Sequence, residues 1–171
     1  MIMVFIATAL LLPGVIGADK KKSSGPLNLR FTDNGNGTVT DNRTGLMWLK
    51  NANCFGTENW NDAMDKAAAL HTGDCDLTDG SSEGDWRLPT KEEWKAFFDR
   101  NYYNPALSNA AGTGKWSEGD AFNNVQAVLY WSSTTDEANT DHAWRLYMYN
   151  CYPYSGPKTN SMYVWPVRGG N

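Results

Sequence analysis

Six residues near the C-terminus combine aromatic faces with positive charge: Arg145, Tyr147, Tyr149, Tyr152, Tyr154 and Lys158. Each tyrosine carries a ring that can stack and a hydroxyl that can hydrogen-bond, a pairing that sugar and protein ligands both favour. Arg145 and Lys158 add donors for charge-assisted hydrogen bonds to a sulfate. These six are the candidate ligand contacts, and core packing is the competing use of the same rings.

Bond-making chemistry is harder to assemble. A nucleophile needs a base within reach, and His71 and His142 are the only histidines. Ser132 and Ser133 sit in a strand-like run without a Gly-x-Ser-x-Gly turn. No phosphate loop and no dinucleotide fingerprint appear. Acids are plentiful enough for a paired-carboxylate glycosidase, yet nothing singles out a pair. His71 reads as a polar group at a helix end. The chain is expected not to be an enzyme.

Metal chemistry has one foothold. Residues 74–85, DCDLTDGSSEGD, carry Asp74, Asp76, Asp79, Glu83 and Asp85. Such an oxygen-rich loop can collect Ca²⁺, and a solvated acidic loop is the alternative. The Asp-rich stretch from Asp33 fails the EF-hand pattern, because Gly35 and Gly37 occupy its third and fifth positions. Zinc lacks its usual signature, since no Cys-x-x-Cys pair or histidine cluster exists. No other cofactor is expected.

The chain of 171 residues has the length of one domain. Its net charge of −4 argues against a general nucleic-acid binder, whose footprint is basic. Eight Trp and eight Tyr point to a stacking surface as well as a core. The start, MIMVFIATALLLPGVIGA, reads as a secretory signal over residues 1–18, apolar and then small at Gly17 and Ala18. Lys20, Lys21 and Lys22 lie on the unfavourable side of it. Residues 19–29 read as a flexible Ser-, Gly- and Pro-bearing tether, and residues 30–171 as the domain. Three cysteines suit an exported chain with one disulfide and one thiol left over. Cys54–Cys75 is favoured among the pairings, because the two flank one predicted helix and close a short loop. Secreted, periplasmic and cell-surface locations all fit, with a glycan or a surface protein as partner and the oligomeric state open.

The elements that must carry the candidate residues follow from patterning. FTDNGNGTVTDNRTGLMW (31–48) reads as a β-meander with turns at Gly35–Gly37 and Asn42–Gly45. Residues 59–71 read as a helix capped by Asn59, with Asp62 at the third position and Gly73 past its end. GDWRLPTKEEW (84–94) sets a short extended segment before Pro89 and then a capping box of Thr90 and Glu93. The helix it opens is expected over 91–100, with Trp94, Phe97 and Phe98 on one face. Residues 101–128 read as loop, with Trp116 either an exposed platform or a satellite of the core. Residues 128–135 and 142–150 read as strands. The second alternates, with Trp144, Leu146 and Met148 on one face and Arg145, Tyr147 and Tyr149 on the other. Residues 151–160 read as a turn-rich loop, and 162–170 as a final strand that Pro166 puts at an edge or bulge. Two helices among strands give an α+β fold, the helices packed on mainly antiparallel strands.

Four stretches in order, FTDNGNGTVTDNRTGLMW, GDWRLPTKEEW, YWSST (130–134) and YVWPVRGG (163–170), resemble the Lcl C-terminal domain family, the C-terminal domain of the Legionella collagen-like adhesin. NANCFG (51–56) and CDLTDGS (75–81) are similar to it as well, which supports the Cys54–Cys75 bridge. The resemblance implies a C-type-lectin-like fold and an exported bacterial module for surface attachment or glycan recognition. In the adhesin, sulfated glycosaminoglycans are the suggested ligands. RLPTKEEW and the terminal VRGG are also similar to the formylglycine-generating, sulfatase-modifying enzymes. Those hold copper with two nearby cysteines close to the C-terminus, where this chain has only Cys151. The alternatives to a glycan-binding module are therefore an enzyme of that type or a protein–protein module of an envelope complex.

Overall fold

A computed structural model describes residues 28–169. The expected signal at 1–18 and most of the tether at 19–29 lie outside the described residues. No helix among the described residues is long and apolar enough to cross a membrane.

Three short strands open the domain: β1 (Phe31–Asp33), β2 (Thr38–Asp41) and β3 (Met47–Leu49). They form the expected antiparallel meander, with Val39 opposite Trp48. Gly37 in the first turn has a second duty. A Cβ there would lie 2.6 Å from the carbonyl oxygen of Asp76, so glycine lets the acidic loop pack against this turn.

Next come β4 (Thr57–Glu58) and helix α1 (Trp60–Ala69). The Asn59 side chain accepts a hydrogen bond from the Asp62 N–H, as the capping pattern predicts. The helix stops at Ala69, short of the predicted 71. Cys54 and Cys75, on either side of α1, form the expected disulfide. Helix α2 spans Lys91–Phe97. Its capping box is complete, and Arg87 clasps Glu93 through two hydrogen bonds of 2.7 and 2.6 Å. The helix is shorter than the expected 91–100 for a visible reason. Arg30 and Arg43 donate to the carbonyls of Ala96, Phe97 and Phe98, which closes its C-terminus.

Four strands complete the domain: β5 (Leu129–Thr135), β6 (His142–Tyr147), β7 (Tyr152–Pro157) and β8 (Met162–Tyr163), before a last strand β9 (Val167–Arg168). β9 joins the first sheet, in the order β1-β2-β3-β9, and the others form a second sheet ordered β4-β8-β5-β6-β7. All neighbours are antiparallel except β5 and β8. Two helices on two mainly antiparallel sheets make the fold α+β, as expected. Pro166 sits where the chain leaves one sheet for the other, so the predicted final strand is two short ones.

The reading of 151–160 as a turn-rich loop is corrected. β7 pairs with β6 over its whole length, Arg145 opposite Tyr154 and Ala143 opposite Gly156. Pro153 and Pro157 are the residues that disguised it. Proline has no N–H, so both fit only where the backbone faces away from β6. Alternation then leaves Ser155 as the β7 residue whose N–H faces the open edge.

The core is aromatic. Trp48, Trp94 and Trp165 meet Phe97 between the two sheets, with the Trp48 and Phe97 ring centroids 3.9 Å apart. Trp116 belongs to this core and not to the surface: it is buried and donates its indole N–H to the Phe122 carbonyl. A smaller cluster lies on the far side of the second sheet, where Ala63 and Ala67 of α1 pack on Trp131, Ala143 and Val164.

Candidate binding face

The second sheet has one face in the main core and one face only half covered. Tyr130 and Leu146 point into the main core. Their neighbours Trp131, Arg145 and Tyr147 point the other way, because successive side chains alternate. Pairing then lays them out in rows: Trp131, Arg145 and Tyr154 in one, Leu129, Tyr147 and Tyr152 in the next. α1 covers Trp131 and Ala143. Beyond it the tyrosines lie open.

Four rings form a connected chain there. Tyr147 stacks on Tyr149 at 5.7 Å and meets Tyr154 at 6.3 Å. Tyr149 in turn meets Tyr103 at 6.2 Å, and the Lys115 ammonium stands 5.6 Å from the Tyr103 ring. Tyr103, Tyr149 and Tyr154 are exposed by 67%, 38% and 45%. A hollow of about 310 Å³ opens beside Tyr147, walled by Val128, Leu129, Met162 and Tyr163.

Of the six candidate residues, Arg145, Tyr147, Tyr149 and Tyr154 come together on this face. Tyr152 lies opposite Tyr147 in register but borders another hollow, with Lys95, Arg100 and Tyr102. Lys158 is further along β7, its ammonium 4.1 Å from the centre of the Trp60 ring. Tyr103, Val128 and Met162 complete the face and were not foreseen. Tyr103 sits in a loop-like stretch whose pattern says nothing about where it folds back. It gets there because Asn104 and Ala106 donate to the carbonyls of Tyr149 and Met148.

The other chemistry-bearing groups are occupied by structure. Ser155 donates its hydroxyl to Asp136, and the His142 Nδ1 lies 3.4 Å from the same oxygen. A catalytic triad needs the serine proton aimed at the histidine and the acid on the histidine's other nitrogen. Here the acid takes the serine proton directly, and it also accepts the Ala138 N–H. These two bonds, the hydroxyl's first, hold the Asp136 carboxyl below the usual range. The trio fastens the β5–β6 turn. His71 lies just past α1, 3.0 Å from Asp74.

The acidic loop is divided among separate partners. Asp79 is buried 3.0 Å from Arg168, Asp85 accepts the Ser82 N–H, and Asp74 meets His71. Among the described residues, no three His, Cys, Asp or Glu side chains converge on one point. Cys151 is a buried thiol outside the disulfide, and burial pushes its pKa up to about 11.

The family model described as the Lcl C-terminal domain matches residues 37–168. No curated protein matches the chain.

Proposed function

Because the chain belongs to the Lcl C-terminal domain family, we propose that it is an exported, non-catalytic attachment module whose open tyrosine face takes a glycan. The adhesin association comes with the family. The glycan, the export and the absence of catalysis are our reading.

One observation carries it. Large apolar side chains on a soluble surface are normally scattered singly, and a cluster of them marks an interaction site. Tyr103, Val128, Tyr149 and Tyr154, all well exposed, surround Tyr147 on one face. The rings meet at angles of 25°, 53° and 66°, so they make a faceted platform instead of a slot. Sugar rings stack on such facets while their hydroxyls reach the phenol oxygens. Strand addition by a protein partner is poorly supported, since Pro153 and Pro157 remove N–H groups from the open edge of β7. A copper enzyme of the sulfatase-modifying type is poorly supported too. Two of the three cysteines are tied to each other, and the third is buried.

The test is a glycan array probed with the purified protein, with Ca²⁺ and with a chelator. Binding in both conditions is expected, and its loss in a Tyr149→Ser variant. An array blank in both conditions sinks the glycan reading and favours a protein ligand.

A further inference from the structure

Parallel pairing between β5 and β8 is limited to one residue pair, Tyr130 and Tyr163. On the N-terminal side of that pair the two strands part. Val128 and Leu129 from one strand, and Ser161 and Met162 from the other, become walls of the hollow beside Tyr147. Thr57 and Tyr163 complete it. The lining sets this hollow apart, because it carries no charged side chain. Four other hollows on the described residues each carry a lysine or an arginine: Lys91, Lys50, Arg43 and Arg100 in turn. Arg145, which has no carboxylate partner among the described residues, touches the Met162 sulfur at 3.9 Å through Nη1 and stays out of the lining.

Apolar walls with a few placed polar groups are the usual make-up of a small-ligand site. Here the wall is Val128, Leu129 and Met162, and Thr57 and Ser161 add hydroxyls from exposed positions. Val128 is itself well exposed. Such a wall gains when an apolar group covers it. The two hydroxyls lose unless whatever covers them brings a hydrogen-bond partner. An unsubstituted sugar brings hydroxyls to an apolar wall. An aliphatic side chain leaves the threonine and the serine without partners. An acetamido group meets both needs. Its methyl suits Val128, Leu129 and Met162, and its N–H and carbonyl suit hydroxyls, which both donate and accept.

We propose that this hollow is the subsite for the acetamido group of a sugar whose ring lies on Tyr147, so that the face selects 2-acetamido sugars over their parent hydroxyl sugars. The inference rests on the tyrosine-face reading and names the substituent that the face selects. It asks for no charge on the ligand, since the hollow holds none to pair with it.

The test follows the Met162 methyl NMR signal through titrations with two sugar pairs: N-acetylglucosamine against glucose, and N-acetylgalactosamine against galactose. Within each pair one substituent differs. At least one acetamido sugar should bind about tenfold tighter than its parent, the scale of one buried methyl group with a hydrogen bond. 6-Deoxyglucose, which brings a methyl without an amide, should show no such gain over glucose. Val128→Asp puts a charge in the wall at an exposed position, where the fold tolerates it, and the preference should vanish. Ser161→Ala, at another exposed position, removes a partner of the amide and should reduce the preference. Equal affinity within both pairs overturns the subsite and leaves the tyrosine platform standing. So does a preference that survives both variants, or a 6-deoxy gain as large as the acetamido gain. If none of these sugars binds, the subsite falls, and the glycan array decides separately whether the platform falls with it.

Discussion

The joint around α2 and the hairpin of β6 and β7 both concentrate aromatic rings, and they place them oppositely. At the joint, Trp94 and Phe97 are fully buried against Trp48 and Trp165. At the hairpin, Tyr149 and Tyr154 face water. The sorting follows the polar handle. An indole N–H needs one acceptor, and the backbone supplies it for Trp94, Trp131 and Trp165, which donate to the carbonyls of Trp131, Glu58 and Leu49, while Trp48 and Trp86 are buried without one. A phenol both donates and accepts, which is harder to satisfy inside. Tyr130 is the fully buried tyrosine, and its oxygen accepts the Gln126 N–H. Four of the six buried indoles are finished by one carbonyl, and the exposed phenols keep a hydroxyl free for a ligand.

The comparison breaks first if the joint can lose a ring cheaply. Trp94→Ala should destabilise the domain by about 3–5 kcal/mol, the range for deleting a large core aromatic. It removes contacts to Trp48, Phe97, Phe98, Tyr130 and Trp165 together. Urea unfolding checks it. A loss below about 1 kcal/mol would mean that the joint is as tolerant as the surface.

Opening the Cys54–Cys75 bridge comes next. The two residues are 21 apart in sequence, and a loop of that length constrains the unfolded chain by about 3 kcal/mol. A Cys54→Ser, Cys75→Ser pair should lower the unfolding free energy from urea titration by that amount. It should leave binding at the tyrosine face intact, because the bridge lies near α1 and the acidic loop. Loss of binding at full folding would show that the two regions are coupled.

The joint was far more legible in the sequence than the face. Thr90 and Glu93 three apart, and Trp94, Phe97 and Phe98 at helical spacing, are local patterns that fix a helix and its buried side. Cys54 and Cys75 were readable for a similar reason, flanking one helix. The face is a product of pairing. Arg145 and Tyr154 are neighbours because β7 pairs with β6, and Pro153 and Pro157 hid that strand. Nothing local to Tyr103 marks its place beside Tyr149. Arg87 announces its partner six residues away, whereas the lack of a partner for Arg145 becomes visible only when every neighbouring strand is in place. The end of α2 was misjudged for the same reason, since the arginines that close it come from residues 30 and 43.

Acid should loosen the joint before it touches the face. Burial pushes the Glu93 carboxyl up, but the Arg87 hydrogen bonds and the Thr90 N–H outweigh it and hold the pKa below the usual value. A depressed carboxylate contributes stability in full above its ordinary pKa, and the contribution is lost as pH falls through the folded value. Glu93→Gln should therefore be less stable than the parent at neutral pH, and the gap should close as pH falls below the ordinary carboxylate range. Thr90→Ala, which removes the other half of the capping box, should cost about 1 kcal/mol at neutral pH. A gap for Glu93→Gln that is constant with pH would assign Glu93 a packing role only.

The smallest expected change in stability is the one that separates the two regions most sharply. Tyr149→Ser removes a ring that touches Tyr103 and Tyr147 but is already part exposed. Its effect on the unfolding free energy should stay within about 0.5–1 kcal/mol, as for other surface substitutions. Its effect on ligand binding should be about tenfold or more, the scale of an aromatic contact at an interface. The same ratio should hold for Tyr154→Ser. Trp94→Ala tests the opposite sense: at a temperature where the variant remains folded, its ligand affinity should match the parent. If Tyr149→Ser instead unfolds the domain while binding survives in what remains folded, the exposed rings are part of the scaffold. The sorting of indoles inward and phenols outward would then have no functional meaning here.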